Sequence, residues 1–137
     1  MKNNETISVL LVEDHKLIRL SIRSSLLHCP QIILSGEATS GEEALEKVRE
    51  LNPDVVLMDI GLPGLDGITA TRLIKEQSGT TRVIMLSAHE DEEIIQSSLA
   101  AGANGYCLKD VDPDTLLAAI TAVYEGNAWF LPSKLYL

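Results

Sequence analysis

Basic residues are scarce in this chain. Eleven Lys and Arg stand against twenty Asp and Glu, a formal net charge of -9. Binding nucleic acid through phosphates needs a cationic face, and docking on an anionic membrane surface needs the same, so neither is expected of this chain. Aromatic residues are 4% of the total while hydrophobic ones are 45%, so the core is built from aliphatic side chains. The two cysteines, Cys29 and Cys107, are too few for a disulfide framework, and Cys107 lies within an apolar run where a small core residue is expected. No Cys–His spacing suggests zinc. No apolar run reaches membrane-spanning length, and the polar start MKNNETIS lacks a signal-peptide core. These absences lead us to expect a reducing, cytoplasmic setting with no membrane contact. A chain of 137 residues fits one domain able to bury a core without staples.

What is present is a regular beat of short apolar runs, each closed by a polar residue. Glu13 and Asp14 follow VLLV, Asp59 follows VVLM, Ser87 follows VIML, and Lys109 follows YCL, with IILSGEA as a further run. The gaps are roughly 20–30 residues, enough for a crossover helix and two loops. Between the runs the pattern takes a helical period. In LIRLSIRSSLL the residues Leu17, Ile18, Ile22, Leu26 and Leu27 are expected along an apolar stripe, with Arg19 and Arg23 facing water. Ser40 followed by Glu43 is a capping box, and Pro53 follows that helix. Helices are also expected over 67–77, 91–101 and 113–124. Asp112 caps the last with Pro113 in its first turn, and Gly126 stops it. Five strand–helix alternations predict a doubly wound α/β fold with a parallel sheet covered on both faces. The tail NAWFLPSKLYL has no place in that scheme and is expected to be an extra packing segment or the start of a linker.

Parallel strands deliver their C-terminal ends to one edge, the edge at which open α/β sheets bind ligands. Glu13, Asp14 and Asp59 would then share a crevice with Ser87 and Lys109. Like charges about 4 Å apart repel by roughly 4 kcal/mol at an effective dielectric near 20, so three carboxylates there call for protonation or a cation. All-oxygen ligands suit Mg2+, or Mn2+, and such an ion ordinarily works with a phosphate. Lys109 and Ser87 could hold phosphate oxygens, and Asp59 is the natural nucleophile for an acyl phosphate. Taken singly, an acid after a strand is more often a helix cap, Ser87 a cap and Lys109 a solvated charge. Their joint placement at successive strand ends is what favours a site. His15, His28 and His89 have no triad-like company, and surface or helix-end roles are expected for His15 and His28.

The segments VLLVEDH, VVLMDIGLPGLDG, VIMLSA and GYCLKD, in that order, resemble the receiver domain of two-component response regulators. The resemblance runs from about Ile7 to Gly126, so residues 1–126 are expected to form the domain and 127–137 a tail or linker start. It implies a five-stranded flavodoxin-like (βα)5 fold with strand order 2-1-3-4-5. It further implies that Asp59 accepts a phosphoryl group from a sensor histidine kinase or phosphotransfer protein. Glu13, Asp14, Asp59 and the main-chain carbonyl of Gly61 would hold Mg2+, Ser87 and Lys109 would grip the phosphoryl oxygens, and Tyr106 would be the aromatic whose rotation reports occupancy. LVEDHKLIRLSIRSSL and GYCLKD…AITAVYEGNAWFLP are most similar to the nitrate-regulator subfamily, whose members carry a C-terminal helix-turn-helix. Transcription control through such a domain outside this chain, and homodimerisation on phosphorylation, are the corresponding expectations. Three positions depart from common patterns or shape access. Asp110 replaces a frequent proline, Gly61 puts no side chain over the site, and Ala88 and His89 stand at its entrance. Gly61 also weighs against a phosphatase with an aspartyl-phosphate intermediate, which needs a second acid there. EDHK after the first strand weighs against a flavin or nucleotide phosphate loop, and the intact Asp59, Ser87 and Lys109 against a vestigial interaction module.

Overall fold

The computed structural model describes residues 5–130. Strands β1 (Ile7–Val12), β2 (Ile32–Ala38), β3 (Val55–Asp59), β4 (Arg82–Ser87) and β5 (Gly105–Leu108) alternate with helices α1 (Lys16–Leu27), α2 (Gly41–Leu51), α3 (Gly67–Gln77), α4 (Glu92–Ala100) and α5 (Pro113–Tyr124). A sixth strand, β6 (Trp129–Phe130), follows, and the order in the parallel sheet is β2-β1-β3-β4-β5-β6. The expected order is present, with one strand more than the expected five.

The extra strand comes from the tail that had no place in the sequence scheme. Gly105 pairs with Trp129 and Tyr106 with Phe130. A Cβ at Gly105 would lie 2.9 Å from the Trp129 carbonyl oxygen, so the missing side chain is what admits β6 alongside β5. Two residues are too few to show a strand period, which is why the segment was silent in the sequence. Residues 131–137 of the tail lie outside the described residues.

Side chains alternate across the sheet as strand geometry requires. Val9, Leu11, Val55, Leu57, Ile84 and Leu86 pack on one face with α1 and α5; Leu10, Val12, Val56, Met58, Val83 and Met85 pack on the other with α2, α3 and α4. With both faces covered, the strands read as unbroken aliphatic runs. Cys107 is buried in the first layer, as its apolar context predicted, and burial pushes its thiol up to about 12.

Helix starts follow the local chemistry. Ser40, Asp66, Asp91 and Asp112 each accept a bond from the backbone N–H three residues on, and Glu43 reaches back to the Thr39 N–H. Asn52 closes α2 in the left-handed region at φ 47°, directly before Pro53.

The expected stripe on α1 is only partly right. Ile22 and Leu26 are buried and Ile18 packs against them, but Leu17 is 78% and Leu27 65% exposed. At about 100° per residue, Ile18, Ile22 and Leu26 fall within about 40° of one line, while Leu17 and Leu27 lie about 140° from it. The arginines are not simply solvated either. Arg23 makes two bonds to Glu37 on β2, at 2.6 and 2.8 Å, and Arg19 Nε sits 3.4 Å from the same carboxylate.

Candidate phosphoacceptor site

The carboxyl ends of β1, β3, β4 and β5 carry the site. Asp59 ends β3 and is 3% exposed; its Oδ1 accepts from the Gly61 N–H at 3.0 Å and lies 2.9 Å from Lys109 Nζ. The same Nζ is 3.0 Å from Glu13 Oε1, just beyond β1. One ammonium thus bridges two buried carboxylates. Asp14 stands beside Glu13 and is exposed.

The charges answer one another. Burial pushes the Glu13 carboxyl above its usual range, against the Lys109 contact that lowers it, and the charge of Asp59 adds to the rise. Burial acts to lower the Lys109 ammonium, but its close contacts with the Asp59 and Glu13 carboxylates and their negative charge outweigh it and hold the group above its ordinary value. Glu13 Oε1 has an ion-pair neighbour in Lys109 yet no well-directed hydrogen bond, leaving a fully buried oxygen with unused acceptor capacity. Such an oxygen, next to Asp14 and Asp59, fits a hard divalent cation with oxygen ligands.

Glycines shape the loop after β3. A Cβ at Gly67 would overlap the Asp59 carbonyl oxygen, so α3 can begin tight against the Asp59 backbone only because Gly67 has none. A Cβ at Gly61 would meet only Asp59 Oδ1, at 4.0 Å, so this side of Asp59 is open.

Ser87, at the end of β4, is buried but turned to its own loop. Its Oγ donates to the His89 carbonyl at 2.8 Å and accepts from the His89 N–H at 3.1 Å. Tyr106 is fully buried, and its hydroxyl donates to the same His89 carbonyl at 2.8 Å. Both lone pairs of one carbonyl are therefore engaged, and Tyr106 is already turned inward. Ala88 and His89 are exposed at the rim.

All nine singled-out residues, Glu13, Asp14, Asp59, Gly61, Ser87, Ala88, His89, Tyr106 and Lys109, are placed around this end of the sheet. The ion pairs join Glu13, Lys109 and Asp59 directly, whereas Ser87 and Tyr106 converge on His89. Sequence reasoning missed Arg19. Its Nη1 donates to the Glu13 carbonyl at 3.0 Å, fixing the backbone of the acidic loop to α1 and, through Glu37, to β2. The helical wheel held a signal, since Arg19 borders the buried stripe at about 60° from its centre.

Residues 9–121 match the response regulator receiver domain family. The chain is 36% identical over 130 residues to the transcriptional regulatory protein DegU of Brevibacillus brevis, covering 95% of this chain and 55% of that protein. It is 35% identical over 127 residues to the nitrate/nitrite response regulator NarL of Escherichia coli K12, covering 93% and 59%. The crystal structure of a LuxR-family two-component response regulator from Aurantimonas superposes with a TM-score of 0.89 at 35% identity, covering 93% of this chain and 91% of that one. The chain spans a little over half the length of the two curated relatives. With the acidic pocket, the bridging lysine and the doubly wound sheet in place, it belongs to the response regulator receiver domain family.

Proposed function

We propose that the chain is a phosphorylation switch in which Asp59 is the acceptor. Support comes above all from one feature: a buried carboxylate at a sheet's C-terminal edge, held by a main-chain N–H and an ammonium, beside a second buried carboxylate. A free oxygen of Asp59 attacks the phosphorus of a phosphohistidine on a sensor kinase or phosphotransfer protein. The P–N bond breaks, its electron pair and a proton stay with the imidazole, and an acyl phosphate forms. Glu13, Asp14, Asp59 and the Gly61 carbonyl would hold Mg2+, or Mn2+, which supplies charge neutralisation for the transferring phosphoryl group. Lys109 stays beside Asp59 to balance the added charge. Ser87 exchanges its bonds to His89 for one to a phosphoryl oxygen. That frees one lone pair on the His89 carbonyl, to which Tyr106 remains bonded, and rearranges the β4–α4 loop.

The altered surface near Tyr106, α4 and β6 is the reading's output, acting through homodimer or partner contacts. The matched relatives are named as transcriptional and nitrate/nitrite regulators, so the output we propose is transcription, through a helix-turn-helix domain of the full-length protein in the cytoplasm. Among the described residues no helix is long and apolar enough to cross a membrane. We read the receiver unit as residues 1–126, and the tail that follows it, 127–137, adds β6 to the sheet edge through Trp129 and Phe130. The open Gly61 side admits water and phosphodonor, and His89 at the rim tunes the acyl phosphate's lifetime. Slower loss of label in Gly61→Met and altered loss in His89→Ala would support this; unchanged rates in both would end it.

Intact mass after treatment with a small phosphodonor tests the central reading. One phosphoryl group should add in the presence of Mg2+, not in EDTA, and not to Asp59→Asn. Mg2+-dependent labelling that persists in Asp59→Asn refutes the acceptor assignment.

A further inference from the structure

The loop between β1 and α1 carries a residue that the phosphorylation scheme does not use. His15 occupies the N-cap of α1 with extended backbone, φ -78° and ψ 117°, yet its ring makes no capping bond to the helix. Ser, Thr, Asp or Asn ordinarily serves there, because a short oxygen-bearing side chain satisfies a free N–H of the first turn. An imidazole that leaves this task undone, on an exposed residue at the rim of an acidic pocket, is available for another.

Its surroundings supply one. Glu13, Asp14 and His15 each offer a ligand atom, and these atoms lie within 4.8 Å of one another. Ligands about 2.1 Å from a common ion stand about 3 Å apart when adjacent and about 4.2 Å apart when opposite, so small side-chain rotations close the set. The His15 N–H holds Glu13 Oε2 at 3.1 Å, which fixes that carboxylate against the backbone bearing the ring. The second oxygen, fully buried Glu13 Oε1, has no directed hydrogen bond and retains acceptor capacity beside the ion pair with Lys109.

We propose that His15 is an additional ligand of the cation site, giving it one nitrogen donor. The proposal rests on the reading of Glu13 and Asp14 as metal ligands. Mg2+ prefers oxygen and gains little from imidazole, whereas Mn2+, Co2+ and Ni2+ accept it increasingly well. A site with His15 therefore discriminates among divalent ions in a way that an all-oxygen site does not. In a cell, the ion present at the acceptor would depend on the transition-metal supply as well as on Mg2+.

Pulsed electron paramagnetic resonance on the whole chain with Mn2+ as the probe tests this directly. Nitrogen modulation of an imidazole ligand is expected in the wild type, in His28→Ala and in His89→Ala. It should be absent in His15→Asn, a substitution that supplies a good helix cap and so guards against loss of folding. Calorimetric titration should show Co2+ affinity falling at least about tenfold relative to Mg2+ in the same variant. Absence of nitrogen modulation in the wild type, or its persistence in His15→Asn, overturns the proposal, as does an unchanged Co2+ to Mg2+ affinity ratio. Phosphoryl labelling of wild-type Asp59 with Mg2+ is read separately. Labelling without nitrogen coordination defeats only the His15 ligand; nitrogen coordination without labelling upholds it and defeats the acceptor role.

Discussion

Replacing Lys109 with methionine removes the ammonium while keeping most of the aliphatic stem, so it isolates the charge. Nζ lies 2.9 Å from Asp59 Oδ1 and 3.0 Å from Glu13 Oε1, and its side chain is only 15% exposed. The two carboxylate oxygens are thereby within about 6 Å of each other and repel by roughly 3 kcal/mol at an effective dielectric near 20. Breaking a buried pair by deleting one partner costs about 3–5 kcal/mol. With roughly 3–4 °C per kcal/mol for a domain of this size, the melting temperature in EDTA at pH 8 should fall by about 10–20 °C. The pH dependence follows from Glu13, whose carboxyl already stands above its unfolded value. The native state then binds more protons than the unfolded chain in the range above that unfolded value, so stability rises as pH falls. Without Lys109 this preference grows, and the gap between Lys109→Met and wild type should narrow between pH 8 and pH 5.5. Saturating Mg2+ should narrow it too, because a cation returns to the carboxylates. Thermal unfolding followed by far-UV circular dichroism reads all three. An equal loss at both pH values, with no extra gain from Mg2+, would mean that Lys109 acts by packing and not by charge.

Gly67→Ala should destabilise by about 2–4 kcal/mol in urea unfolding, since its Cβ would overlap the Asp59 carbonyl oxygen and backbone must move; a loss below about 1 kcal/mol would show that the loop relaxes freely. Arg19→Ala should weaken Mg2+ binding several-fold in calorimetric titration by releasing the Glu13 carbonyl, while Arg23→Ala, whose guanidinium bonds the Glu37 carboxylate, should leave it nearly unchanged. Thiol titration of the native protein at pH 8 should modify Cys29 well before Cys107, whose thiol is buried and pushed up to about 12; simultaneous modification would contradict its burial.

Legibility in the sequence followed the physics of each element. Asp59, Ser87 and Lys109 could be placed because a parallel strand's end is marked twice, by the stop of an aliphatic run and by the edge to which all such ends point. The caps at Ser40 and Asp112 were equally local, as a short oxygen side chain answers the N–H groups three residues on. β6 was not legible, because a two-residue strand has no period and is held in place by a vacancy on its neighbour, the missing Cβ of Gly105.

Side-chain direction was the other thing hidden from the sequence. Residue order puts Ser87 at the sheet edge beside Asp59 but cannot say that its hydroxyl is spent on the His89 backbone, or that Tyr106 shares the same carbonyl. Those bonds set a constraint on any switch built here. A carbonyl oxygen has two lone pairs, and Ser87 and Tyr106 together fill them. Moving Ser87 toward Asp59 gives up two bonds within the β4–α4 loop, so the hydroxyl moves only if a new acceptor at Asp59 is worth more than both. Charge-assisted bonds to a phosphoryl oxygen are roughly twice as strong as neutral ones. The exchange is therefore close to balanced, and a near balance is what lets one covalent event decide which arrangement prevails.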